Sequence, residues 1–360
     1  MAAGIGMGRF VYTPILPPMV EALSLSKAEA GLIASANFVG YLAGALLAAV
    51  HLPGSRRSWL LMGLVLNVVC LAAMGATTSL ALFLLLRLAA GIASAFCLIF
   101  SSAVVLDRLA ASGRSNLSAL HFSGVGIGIA VSAALVAMLD DWRGMWLASA
   151  GLALLAAIAV AMTVPADTAP SPTATRAPRA KLSSAFIMLA IAYFLFGIGY
   201  IITATFLIDI VRGSPAISHL EPYAWVLVGI GAAPSVVLWG ALGRRIGILP
   251  AFAVASLVEA AGVVEGVLWL GTPGVVIAPL FLGGTFMGLT ALGLIGARET
   301  AEGDPRGRIA LMTASFSLGQ IIGPAFAGFA YDATGSLTVP SLAAGAGPVL
   351  APGFSLVAAV

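Results

Sequence analysis

Four apolar runs, Ser58–Ala76, Ser79–Leu106, Met145–Val164 and Ile246–Leu270, each approach or exceed the roughly 20 residues with which an α-helix crosses a hydrocarbon core. They cannot all be buried in a water-soluble fold. Of 360 residues, 61% are hydrophobic and only 9% are charged, whereas soluble domains carry roughly 25% charged residues. A membrane barrel also satisfies its backbone in lipid, but it needs short segments of alternating polarity, and these runs are continuously apolar. The expected fold is an all-α membrane bundle of about 12 transmembrane helices. Reading apolar spans against breakers places them near 2–22, 28–50, 57–77, 79–107, 115–139, 143–164, 183–211, 222–243, 246–270, 274–297, 308–331 and 337–360.

Basic residues supply the orientation. With the N-terminus inside, the loops on the cytoplasmic side hold twelve of them: Arg56, Arg57, Arg108, Arg114, Arg176, Arg179, Lys181, Arg244, Arg245, Arg298, Arg306 and Arg308. The opposite loops hold three, Lys27, Arg143 and Arg212. Excess Lys and Arg mark the cytoplasmic side, so the chain is expected in the cell inner membrane with a cytoplasmic N-terminus. Cys70 and Cys97 both fall inside predicted helices, which argues for small packing residues and against a disulfide framework or thiolate metal site.

The long polar stretch PADTAPSPTATRAPRAKL, residues 165–182, lies near mid-chain. Its Pro, Ala, Ser and Thr content reads as a flexible tether between an N-terminal six-helix half, 1–164, and a C-terminal half, 183–360. The halves repeat each other. GRSNLSALHFS at 113–123 aligns with GRIALMTASFS at 307–317, an offset of 194. GxGR ending at Arg9 aligns with GxGY ending at Tyr200, offset 191, and GALL at 44–47 with GALG at 240–243, offset 196. Six spans separate the mates, so the repeats are parallel and related by an axis along the membrane normal.

Two parallel six-helix halves resemble the major facilitator superfamily, and local sequence carries the same resemblance. RLAAG at 87–91 matches its RxxxG element on helix four, and GALGRRIG at 240–247 is similar to its GxLADRxGRR loop, with Arg244 where the usual Asp would stand. The equivalent first-half loop, GALLAAVHLPGSRR, departs further. GIGMGRFVYTPILP, LIASANFVGYLAGALL and LHFSGVGIGIAVSAAL together resemble the YbfB/YjiJ branch. The resemblance implies a central cavity lined by helices one, four, seven and ten.

Within the predicted spans, charged and polar residues nominate a substrate site. An intramembrane charge costs at least ~2.5–3.5 kcal/mol on insertion scales, so it should face protein or a water-filled cavity. Arg9 and Arg87, on helices one and four, are the first candidates, because a guanidinium presents a planar fork to a carboxylate or phosphate. The competing reading is that each ties down helix carbonyls or snorkels to an interface. Asn37 and Tyr41 share a face of helix two at i, i+4 spacing. Tyr12, Tyr200, Thr203 and Gln320 complete the polar lining. His121, just before the Gly124–Gly126–Gly128 run, could bond substrate or carry a coupling proton, and Glu259 on helix nine is a second proton-coupling candidate that also reads as structural. Pro14, Pro17 and Pro18 are expected to break or end helix one near its outer side, and Pro340, Pro348 and Pro352 to make helix twelve irregular. Helix one is also expected to be about two turns shorter than helix seven.

These features point to a secondary active transporter moving a small solute, an organic anion in the first reading, with a proton as possible partner. A multidrug efflux transporter would call for a large aromatic cavity with an intramembrane acid. A non-transporting membrane sensor or scaffold is the other alternative. The chain lacks HExxH, GxSxG and P-loop patterns, so no enzyme, catalytic residue, metal or cofactor is expected. The expected partners are a small-molecule substrate and the lipid bilayer, without nucleic acid, for a chain acting as a monomer.

Overall fold

The computed structural model describes residues 1–50, 52–114, 117–165, 182–268, 271–300 and 305–357. Of the tether expected at 165–182, residues 166–181 lie outside the described residues. A short π-helical turn, Ala2–Met7, precedes α1 (Tyr12–Leu23), α2 (Lys27–Ala49), α3 (Arg56–Ala76), α4 (Leu80–Ala111), α5 (Ser118–Val136) and α6 (Trp142–Thr163). The second set is α7 (Ser184–Arg212), α8 (Glu221–Ile246), α9 (Ile248–Leu268), α10 (Thr272–Glu299), α11 (Pro305–Thr334) and α12 (Thr338–Val357). Among the described residues, ten helices are long and apolar enough to cross a membrane, α2 through α11. The chain is a multi-pass membrane protein.

Polar residues at the loop junctions start several of these helices. Ser26 accepts from the Glu29 N–H while the Glu29 carboxylate accepts from the Ser26 N–H, a capping box that opens α2. Asp141 and Ser183 cap α6 and α7 by the N-cap half of that arrangement alone, accepting from the N–H groups of Gly144 and Phe186. Such caps occupy N–H groups that the first helical turn cannot use.

Two expectations about proline are corrected. α1 runs through Pro17 and Pro18, and Pro14 sits in its first turn, where a missing N–H costs nothing. Helix one is broken earlier, by the π-helical turn and the irregular residues 8–11 that follow it. α12 likewise continues through Pro340, Pro348 and Pro352 without a break.

Packing recurs between the two sets. α2 lies on α4 as α8 lies on α10, and α3 contacts α4 and α6 as α9 contacts α10 and α12. Two seams join the sets, α2 on α11 and α5 on α8. Both require glycine. A methyl group at Gly31 would collide with the Pro324 carbonyl, and one at Gly328 with the Lys27 carbonyl. On the other seam, Gly126 and Gly229 meet the backbone of α8 and α5 in the same way. Small residues let backbones approach this closely in lipid, where packing rather than hydrophobic burial holds helices together.

At the end of the bundle opposite the basic loops, ions join the sets as well. Lys27 Nζ lies 2.5 Å from Asp209 on α7. The N–H groups of Lys27 and Ala28, at the start of α2, donate to the Asp332 carboxylate of α11 at 3.1 and 3.0 Å. Arg212 joins Glu221 at 2.9 Å and Glu21 of α1 at 3.6 Å. We call this end the outer face.

Candidate functional site

Several carbonyls in the irregular start of helix one accept hydrogen bonds from buried side chains elsewhere in the fold. Gly4 O accepts from Asn67 Nδ2 (2.9 Å) and Ser94 Oγ (2.8 Å). Gly8 O and Arg9 O accept from the Arg87 guanidinium at 3.4 and 3.2 Å, and Phe10 O from Trp225 Nε1 at 3.1 Å. Non-helical backbone survives at membrane depth only where such donors satisfy it. Asn67, Ser94 and Trp225 therefore hold the break open, although none stood out in the sequence.

The break places Ile5, Arg9 and Phe10 on one side of a cavity of about 290 Å³. The two halves line it with equivalent positions. α4 supplies Leu98, Ile99 and Ser102, and α10 supplies Thr290, Ala291 and Leu294 at the same spacing. Phe122 and Phe316, mates at offset 194, are both on the wall, as are the mates Arg9 and Tyr200. These positions lie toward the basic-loop ends of their helices, away from the ion pairs of the outer face. A separate hollow of about 510 Å³ sits at that outer face, lined by Glu21, Lys27, Asp209 and Arg212 among others.

Among the described residues Arg9 is the one charged residue on the cavity wall, and it is 7% exposed. Its guanidinium carbon lies 4.5 Å from the ring centres of Phe38 and Tyr41, and 5.4 Å from that of Phe10. Cation–π contact of this kind holds a guanidinium in place by its face. Its Nε and Nη2 have no hydrogen-bond partner. Those two donors form one edge of the fork, the edge that a carboxylate engages with two parallel hydrogen bonds.

Opposite, aromatic rings form a wall. Tyr200 lies nearly parallel to Phe286 (5.8 Å, 6°) and to Phe316 (5.6 Å, 7°), while Phe10 meets Phe286 edge-on at 5.5 Å. The Tyr200 hydroxyl accepts from Gln320 Nε2, which leaves its proton free to be donated. Phe10, Phe122, Phe286 and Phe316 were not among the sequence-derived candidates. The only prior signal was the Phe shared by the aligned repeats at 122 and 316.

Of the nominated residues, Arg9, Tyr41 and Tyr200 reach the cavity wall and Gln320 stands behind Tyr200. The rest are placed elsewhere. Arg87 is buried, serves the helix-one carbonyls and lies 4.9 Å from the Tyr12 ring. Its Nε also lacks a partner, but it is not on the wall. The Tyr12 hydroxyl donates to Ala30 O at 2.9 Å, Asn37 Nδ2 to Arg87 O at 3.0 Å, and Thr203 Oγ1 to Gly199 O at 3.5 Å. His121 sits just behind the wall, its Nε2 3.4 Å from the hydroxyls of Ser101 and Ser102, the latter a wall residue. Glu259 is fully buried between α9 and α10, where one oxygen accepts from Thr285 Oγ1 at 2.8 Å and the other has no partner.

A family profile described as uncharacterised MFS-type transporter YbfB matches residues 1–356. No curated protein sequence matches the chain. Solved structures share its fold. A crystal structure of a mutant of the nucleoside transporter NupG superposes with a TM-score of 0.72 at 14% identity, covering 99% of this chain and 97% of that one. A bacterial homologue of the human lysosomal transporter Spinster, inward-facing and unoccupied, gives 0.67 at 16% identity, covering 99% and 93%.

Proposed function

Because the chain belongs to the family of the uncharacterised MFS-type transporter YbfB, we propose that it carries a small organic anion across the inner membrane by secondary active transport. The observation that carries this reading is Arg9: a buried cation on a cavity wall, two of whose donors no protein group occupies. A fixed positive charge in a low-dielectric site costs several kcal/mol, which an anionic ligand offsets. Broken helices that bring irregular backbone to a midplane site are a recurring way of building substrate sites in transporters.

Two related halves meeting along glycine seams suit alternating access, in which one half rocks against the other around the site. The conformer described here is latched at the outer face. In this reading the basic face lies in the cytoplasm, and the cavity is displaced toward it. The efflux alternative calls for a large aromatic cavity with an intramembrane acid; among the described residues this wall is aromatic, but the cavity is small and its charged member is the cation Arg9. His121 is the better-placed proton carrier of the two candidates, because Ser102 links it to the wall whereas Glu259 is held by Thr285.

Counterflow in proteoliposomes tests the proposal, with a panel of radiolabelled monocarboxylates and, since NupG is named as a nucleoside transporter, uridine as the neutral comparator. Carboxylate exchange is expected in the wild type and not in Arg9→Ala. Uridine exchange that is indifferent to Arg9→Ala would replace the anion reading with a nucleoside one. For the proton, His121→Gln is expected to abolish accumulation driven by a pH gradient while leaving counterflow in place. Full gradient-driven accumulation in that variant removes His121 from the coupling path.

A further inference from the structure

Resting on the anion reading of Arg9, we propose that the substrate is a planar aromatic monocarboxylate, with its ring against the Tyr200–Phe286–Phe316 wall and its carboxylate on the Arg9 guanidinium. The number of charges comes first. Among the described residues the wall holds one cation and no second basic side chain, so a dicarboxylate would bring an anion with nothing to meet it, at the cost of a buried unpaired charge.

Size comes next. A cavity of about 290 Å³ lies at the lower limit of the ~300–1,000 Å³ typical of pockets for drug-sized ligands. It suits a single or fused small ring with a short acidic arm.

Ring chemistry decides the rest. Six of the wall residues are aromatic, three from each half: Phe10, Tyr41 and Phe122, then Tyr200, Phe286 and Phe316. The near-parallel set on the second half offers faces and edges spaced for offset or edge-on contact with another ring. An aliphatic acid would bury as much apolar area there but would gain none of the quadrupole complementarity. The Tyr200 hydroxyl, accepting from Gln320, keeps a donor for a ring substituent or a second carboxylate oxygen.

The test is binding of four matched probes to purified protein, read by ligand-induced thermal stabilisation and by competition of phenylacetate counterflow. Phenylacetate, cyclohexylacetate, phenylacetamide and terephthalate separate ring character, charge and charge number. Phenylacetate is expected to bind about 10-fold more tightly than cyclohexylacetate, as two ring contacts would give, and far more tightly than phenylacetamide or terephthalate. In Phe286→Leu and Phe316→Leu the preference over cyclohexylacetate should shrink to about 2-fold while cyclohexylacetate binding itself changes little. Equal affinity for phenylacetate and cyclohexylacetate overturns the aromatic inference and leaves the anion reading standing. Equal affinity for phenylacetate and phenylacetamide, unaffected by Arg9→Ala, overturns the anion reading too. Preference for terephthalate refutes the single-charge argument.

Discussion

Replacing Arg9 by methionine is expected to make the ligand-free protein more heat-stable while lowering carboxylate affinity by about 10- to 150-fold, the range set by losing a charged hydrogen-bonded pair worth ~1.5–3 kcal/mol. Stability should rise because Arg9 is buried with two donors unpartnered and no acid on the cavity wall to offset its charge. The desolvation penalty of a buried ion is several kcal/mol. Against it stand cation–π contacts to Phe38, Tyr41 and Phe10, each worth about 0.5–2 kcal/mol. Methionine recovers part of that, since its thioether also packs favourably on aromatic rings. Thermal unfolding in detergent, with and without phenylacetate, separates the effects. At a ligand concentration 100 times the wild-type Kd the wild type gains about 2.7 kcal/mol, and the variant should gain only about 0.3–1.4 kcal/mol. A variant that melts several degrees lower, yet is stabilised by phenylacetate as much as the wild type, would show that Arg9 is a structural residue.

The contrast with Arg87 explains why the sequence could nominate both arginines but not rank them. Each is a lone cation in an apolar helix, with the same expected cost and the same alternative role. What separates them is the break in helix one, which frees the carbonyls of Gly8 and Arg9 for Arg87 and aims Arg9 itself at the cavity. The break arises from a π-helical turn that composition does not announce, while the conspicuous prolines nearby turned out to be accommodated within α1. The helical segments themselves were legible because runs of about 20 apolar residues have few other fates. The polar lining was legible in part, through Tyr41 and Tyr200, because a hydroxyl stands out in an apolar helix. Phe286 and Phe316 did not stand out. A phenylalanine on a cavity wall and one facing lipid look the same in a sequence that is hydrophobic all round, and only packing tells them apart.

Gly31→Val is expected to abolish transport while leaving ligand binding within a few fold of wild type, because it should force open the outer face and not the cavity. The α2–α11 seam has no room for a side chain at this position: a Cβ would meet the Pro324 carbonyl and the adjoining backbone of α11. Backbone cannot rotate aside as a flexible side chain can, so the helices must separate, at a cost of the order of 1–3 kcal/mol for an overpacked contact. The separation acts where the latch sits. Lys27 and Ala28, one turn before Gly31, hold Asp332 through their N–H groups, and the Lys27 ammonium holds Asp209. Ion pairs at a partly solvated face contribute only ~0–1 kcal/mol each, too little to keep the seam shut against a steric clash. The closed outer conformer should therefore lose population to an outward-open one. Spin labels at Ala22→Cys and Ala333→Cys, on the ends of α1 and α11, should report a longer distance in Gly31→Val than in the parent. Gly151→Val is the control, since Gly151 in α6 has open space within 4 Å of where a Cβ would stand and its substitution should leave both flux and distance unchanged. Unchanged spin-label distances in Gly31→Val, with transport intact, would mean that the α2–α11 seam is not part of the gate.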